Sequence, residues 1–193
     1  MADPVEVLDF WIGEVGVKGW FSGGDAVDAA CRERFLDLWH AARDGGLDHW
    51  VEGTAGTLAY LVLTDQFPRN MFRGSPDAFA TDTLALAAAR RAVDEGWDLG
   101  APVPERTFFY LPFEHSEVMA DQDQSVGLYA SRMPGEDEFQ LHAHAHREVI
   151  ARFSRFPFRN AALGRTNTPA EEAFLAAGAY PALVAEMRKD WKP

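Results

Sequence analysis

The residues best suited to chemistry fall into a few groups. Gln66-Phe67-Pro68-Arg69-Asn70, followed by Arg73 and Gly74, returns as Arg155-Phe156-Pro157-Phe158-Arg159-Asn160, followed by Gly164 and Arg165. A guanidinium is a planar fork that pairs with both oxygens of a phosphate or carboxylate, and an asparagine adds a neutral donor and acceptor. Arg69, Asn70, Arg155, Arg159, Asn160 and Arg165 are therefore candidate ligands for an anion. Arg69 and Arg159 lie ninety residues apart, and a pseudo-symmetric fold would bring both to one cleft. The competing structural use is local: arginine and asparagine also bond the last carbonyls of a helix.

Acid–base candidates form a second group. Glu114 and His115 are adjacent, and histidine is the side chain most readily tuned near neutral pH. On a helix, His142 and His146 share a face with Glu138 one turn before, while His144 points away. Two histidines one turn apart can hold zinc, but the chain lacks His-Glu-x-x-His and a clear third ligand, so no metal and no cofactor are expected. His146 also falls on an apolar stripe, where a hydrogen-bonded core histidine is the competing reading. Activated nucleophiles are not evident. Ser116 sits in no Gly-x-Ser-x-Gly elbow, and Cys31 lies near the apolar face of its helix.

The elements that must position these residues read as helices. Asp3-Pro4-Val5-Glu6 is a capping box that opens a short helix, and residues 13–24, rich in glycine, read as a loop. Asp25 opens an amphipathic helix that Gly45-Gly46 stops, and Thr54 to Asp65 is a buried helix running into the first Phe-Pro. Proline lacks an N–H and restrains the residue before it, so both Phe-Pro corners are expected to end helices. Ser75-Pro76 opens a region continuing to Gly96, and Ser116 is placed to cap a helix through Tyr129. Phe139, Ala143, His146, Ile150 and Phe153 keep helical spacing into the second corner. Thr168-Pro169-Ala170-Glu171 is another capping box, and a last helix starts near Pro181. Arg73 and Asp82 are expected to pair across the turn after the first corner.

No segment alternates with period two for long enough to make a strand. The expectation is a single all-α domain over residues 1–193, built of antiparallel helical hairpins, about eight or nine helices in all, stacked like tetratricopeptide repeats. A chain of 193 residues buries roughly 70% of its unfolded surface and needs no staple. Eighteen basic against thirty acidic residues give a formal charge of -12, which repels nucleic acid and anionic membranes. The one cysteine excludes an intrachain disulfide and fits a reducing, cytoplasmic location. The amino terminus resembles no signal peptide, and no apolar run approaches the ~20 residues that span a bilayer.

Leu63-Thr64-Asp65-Gln66-Phe67-Pro68-Arg69-Asn70, Phe79-Ala80-Thr81-Asp82, Glu114-His115-Ser116-Glu117, His146-Arg147-Glu148-Val149-Ile150 and the second corner through Leu163-Gly164-Arg165 resemble the family called domain of unknown function 924. The resemblance covers nearly the whole chain. It implies an all-helical, tetratricopeptide-repeat-like fold without an established activity. In the second corner the family is expected to carry histidine where this chain has Phe158, so that position offers neither proton transfer nor metal ligation here.

Two functions fit these residues. One is a module that binds a small anionic ligand or acidic peptide in a cleft with Arg-Asn corners. The alternative is a small hydrolase or transferase with His115, beside Glu114, or His146 as base, and Arg69 and Arg159 as electrophilic stabilisers.

Overall fold

The computed structural model describes residues 3–192. It is all-α: 74% is helical, and no strand occurs among the described residues. The chain forms two compact units that divide between Pro112 and Phe113.

The first unit opens with Asp3, whose carboxylate accepts from the Val5 N–H and caps Pro4–Leu8. The following glycine-rich stretch is helical as far as Trp20, where a loop was expected over residues 13–24. Asp9–Val15 is a π-helix and Gly16–Trp20 an α-helix, with Gly16 at φ 64° between them. That left-handed conformation is open to glycine at little cost, so the helix changes direction there without a loop. Phe10 and Trp11 reach the interior from this segment. The Phe67 ring lies 5.8 Å from Phe10, 5.4 Å from Trp11 and 4.8 Å from Phe35 of the helix Asp25–Arg43. Fully burying one such ring stabilises the fold by about 1.5–3 kcal/mol.

Phe67 is held there by a helix that does not stop at proline. Thr54–Leu61 is α-helical, Val62–Gln66 widens into a π-helix, and Phe67–Met71 resumes the α-helix with Pro68 inside it. The Phe67 N–H bonds back five residues to the Val62 carbonyl. An α-helix carrying Pro68 would drive the pyrrolidine ring against the Thr64 carbonyl and leave that oxygen without a donor. The wider turn relieves the crowding. The Thr81 hydroxyl supplies the donor, 2.5 Å from Thr64 O, and itself accepts from Trp39 Nε1 at 3.1 Å. The first Phe-Pro corner is thus a widened helix and not a helix end.

In the second unit the same phrase lies just past a helix end. Asp137–Phe153 stops at Ser154, which takes φ 57° and donates its N–H to the Ile150 carbonyl. Phe156 is extended, as a residue before proline prefers, and Pro157–Arg159 is a single 3-10 turn. Leu141, Ala145, Val149 and Ile150 face Leu183 and Val184 of the helix Ala179–Asp190. Thr168 and Glu171 make the expected capping box at the start of Pro169–Ala176. Met119–Arg132 packs beside Asp137–Phe153, and together these helices position the groups described next.

Candidate functional site

Glu114 ends the short helix Leu111–Glu114 and is 2% exposed. Its backbone is pinned by Gln122, whose side-chain amide donates to the carbonyls of Glu114 at 2.7 Å and Ser116 at 2.6 Å. The Glu114 carboxylate meets His146, with Oε1 2.7 Å from Nδ1. Its other oxygen, Oε2, is buried with no hydrogen-bond partner among the described residues. Sequence adjacency paired Glu114 with His115; in the fold its partner is His146, and the His115 ring stands edge-on to His146 at 6.0 Å.

Three acceptors converge on His146 Nδ1: Glu114 Oε1, the His142 carbonyl at 3.0 Å and the Tyr180 oxygen at 3.0 Å. The proton therefore belongs on Nδ1, which leaves the Nε2 lone pair available as a base. Tyr180 also lies 2.6 Å from His142 Nδ1, and His142 Nε2 is 3.3 Å from Glu138 Oε1. Proton bookkeeping is consistent along the row: the Tyr180 hydroxyl donates to His142 Nδ1, and the His142 Nε2–H donates to Glu138. Arg188 closes it at the surface with two bonds to Glu138 of 2.5 and 2.6 Å.

Electrostatics follow from burial and from these partners. Burial pushes the Glu114 carboxyl up, but the field and hydrogen bond of His146, with smaller help from His115 and His142, bring it below the usual carboxylate range. Burial lowers His142 against the pull of Glu114 and Glu138, and it raises Tyr180. His144 does point away from this group, packing its ring against Trp191 at 5.1 Å. Its imidazole is also lowered by burial. Among the described residues, no group of three or more His, Cys, Asp or Glu is arranged to hold a metal ion.

The arginines are met by protein carboxylates. Arg69, in the first unit, forks onto Asp82 at 3.0 and 3.2 Å and touches the Asp65 carbonyl at 2.5 Å and its carboxylate at 3.4 Å. Arg73 pairs with Asp28 rather than Asp82, and Asn70 donates to the same Asp28 at 2.9 Å. In the second unit Arg155 forks onto Glu171 at 2.6 and 2.7 Å. Arg165 reaches Glu117 at 2.9 Å, and that carboxylate also accepts the Phe156 N–H. The buried Arg159 stacks its guanidinium over the Phe156 ring, 4.4 Å from the centroid. Asn160 donates to Asn167 at 2.8 Å, while its buried side-chain oxygen, Oδ1, has no hydrogen-bond partner among the described residues.

The family model for bacterial proteins of unknown function, DUF924, matches residues 7–179. The chain belongs to the DUF924 family. A protein of unknown function from Agrobacterium tumefaciens has a similar structure: 40% identity, TM-score 0.84, covering 89% of this chain and 96% of that one. No curated protein matches this DUF924 chain. No helix among its described residues is long and apolar enough to cross a membrane.

Sequence reading identified Glu114 and His146 singly, and the Glu138–His142 pair by helical spacing. It missed Tyr180, which joins two histidines across 38 and 34 residues. Nothing local marks it, because a tyrosine just after a helix-opening glycine has many ordinary uses.

Proposed function

We propose that the second unit carries an acid–base site in which His146 is the base and Glu114 orients it. The site would act on a small anionic ligand bound at the neighbouring Arg159 corner, in a hydrolytic or group-transfer reaction. One observation carries the reading: a buried carboxylate lies 2.7 Å from one ring nitrogen, while among the described residues the other ring nitrogen makes no hydrogen bond. A carboxylate in that place fixes the tautomer and stabilises the imidazolium that forms when Nε2 accepts a proton. Positioned bases of this kind contribute about 10²–10⁴-fold to a rate. Anion binding itself is common to both sequence-derived functions, and a cytoplasmic location belongs to the same proposal. Arg69 is left out of the site because its fork already holds Asp82.

Diethyl pyrocarbonate, which acylates a neutral imidazole nitrogen, tests the base without a known substrate. His146 is expected to be modified in the folded protein, and Glu114→Gln to slow that modification by at least about tenfold, with His144 as an internal control that keeps its rate. An unreactive His146, or equal rates in parent and variant with the fold intact by circular dichroism, refutes the reading.

A further inference from the structure

A base that takes up a proton must also return one to solvent, and His146 is nearly enclosed. Its side chain is 15% exposed and that of Glu114 only 3%. Of the three acceptors on His146 Nδ1, two lead no further. The His142 carbonyl cannot hand a proton on, and the far oxygen of Glu114 is buried with no hydrogen-bond partner among the described residues. The third, the Tyr180 oxygen at 3.0 Å, continues to His142 Nδ1 at 2.6 Å, and His142 Nε2 continues to Glu138 at 3.3 Å. Exposure rises along that row, to 38% at the His142 side chain and 57% at Glu138. All of its members lie in the second unit, on the helices Asp137–Phe153 and Ala179–Asp190.

The two inner members of the row each hold one proton and accept another. An imidazole takes a proton on one nitrogen and releases it from the other, and a hydroxyl receives one as it gives one. Burial raises the Tyr180 hydroxyl above its ordinary range, so Tyr180 stays neutral and passes protons only in concert. At the outer end, the hydrogen bond from Arg188 holds the Glu138 carboxyl below the usual range, which keeps an ionised acceptor there.

We infer that Tyr180 and His142 form a proton relay between His146 and the protein surface at Glu138. The inference rests on the acid–base reading of His146 and adds the path by which that base exchanges its proton. When His146 Nε2 takes a proton from a bound ligand, Nδ1 releases its own to the Tyr180 oxygen. In the same step the Tyr180 hydroxyl gives its proton to His142 Nδ1, and His142 Nε2 gives one to Glu138 or to water. One proton enters at His146 Nε2 and one leaves at His142 Nε2, and both imidazoles end neutral with their tautomers exchanged. Glu114, 2.7 Å from Nδ1, favours a proton there and opposes the exchanged state. It therefore drives the row back: as Nε2 gives its proton up, protons move inward from His142 and the resting tautomers return. Tyr180 and His142 act through His146, which makes them positioning residues.

The solvent-exchange rate of the His146 Nδ1 proton tests the relay with no ligand present. It is read by NMR magnetisation transfer from water in the full chain carrying isotope-labelled histidine. Tyr180→Phe keeps the ring and removes the hydroxyl. His142→Gln keeps a hydrogen-bonding side chain that cannot take up and release a proton. Both are expected to slow the exchange several-fold. A purely structural role for Tyr180 predicts the opposite sign, since loss of the hydroxyl loosens the hold on His146 and speeds exchange. A rate that Tyr180→Phe or His142→Gln leaves unchanged or raises, with the fold intact by circular dichroism, overturns the inference. Should Tyr180→Phe not fold, His142→Gln at its partly exposed position decides alone. The acylation experiment reads Nε2 and Glu114, whereas exchange reads Nδ1 and its row, so failure of the base and failure of the relay are told apart.

Discussion

At the scale of single residues, what decides a side chain's role here is which partner already holds it. Arg69 has the fork geometry that suits an external anion, yet both prongs rest on Asp82 and the Asp65 carbonyl adds a third bond. Replacing it with lysine keeps the charge and loses the bidentate fit. Arg69→Lys is therefore expected to destabilise the protein by about 1–3 kcal/mol, by the same amount in phosphate as in chloride at matched ionic strength. Denaturant melts in the two salts check this; a phosphate-dependent difference between parent and variant would return Arg69 to the anion site. Glu114 is the opposite case, because one of its two buried oxygens has no hydrogen-bond partner among the described residues. Such an ionised, half-satisfied carboxylate is costly to keep, and functional sites are where that cost is met.

At the scale of elements, one phrase takes two shapes. Phe67-Pro68 lies inside a helix that widens to a π turn, and Phe156-Pro157 follows a helix that has already stopped at Ser154. The difference is set by what receives the carbonyl that proline cannot serve. In the first copy Thr81 bonds Thr64 O and so makes an unbroken helix tolerable. Thr81→Val should cost about 1–3 kcal/mol, since it orphans a buried carbonyl and the Trp39 N–H together. In a Pro68→Ala background the restored N–H can reach Thr64 O, so the same change should cost less. A double-mutant cycle reads this as a coupling of about 0.5–1 kcal/mol, and strict additivity would show that the proline and the threonine do not share that oxygen.

At the scale of the molecule, the acidic balance is managed by pairing. Hydrogen bonds from Arg73, Arg188 and Arg155 hold Asp28, Glu138 and Glu171 low, the last down to about 2. At Glu114 and Glu117 burial pushes upward and is outweighed by His146 and Arg165. A carboxylate whose folded pKa is depressed stabilises the fold above its unfolded value and loses that contribution as pH falls through the folded one. The melting temperature should therefore decline from the ordinary glutamate value of 4.5 downward, the Glu171 share persisting until about pH 2. Thermal melts across that range test it. Glu171→Gln should be less stable than the parent at neutral pH and should converge with it at the acid end; a constant gap would mean that the Arg155 pairing contributes nothing through charge.

Sequence alone determined what depends on neighbours within a turn or two. The all-helical class, the capping box at Thr168, the stop near Gly178 and the shared face of Glu138, His142 and His146 all follow from spacing of three or four residues and from the chemistry of caps. Family membership was equally legible, since it resides in contiguous motifs such as Phe67-Pro68-Arg69-Asn70. Only the tertiary structure decided that Glu114 belongs to His146, that Tyr180 joins His142 to His146, that Asp28 takes Arg73, and that Pro68 lies within a helix. Each of these pairings spans tens of residues or depends on a donor from another element. Local propensity is blind to them: a carboxylate's partner is fixed by which helices pack together, and that is set by the summed burial of side chains such as Phe67, Phe156 and Leu183 rather than by the carboxylate itself.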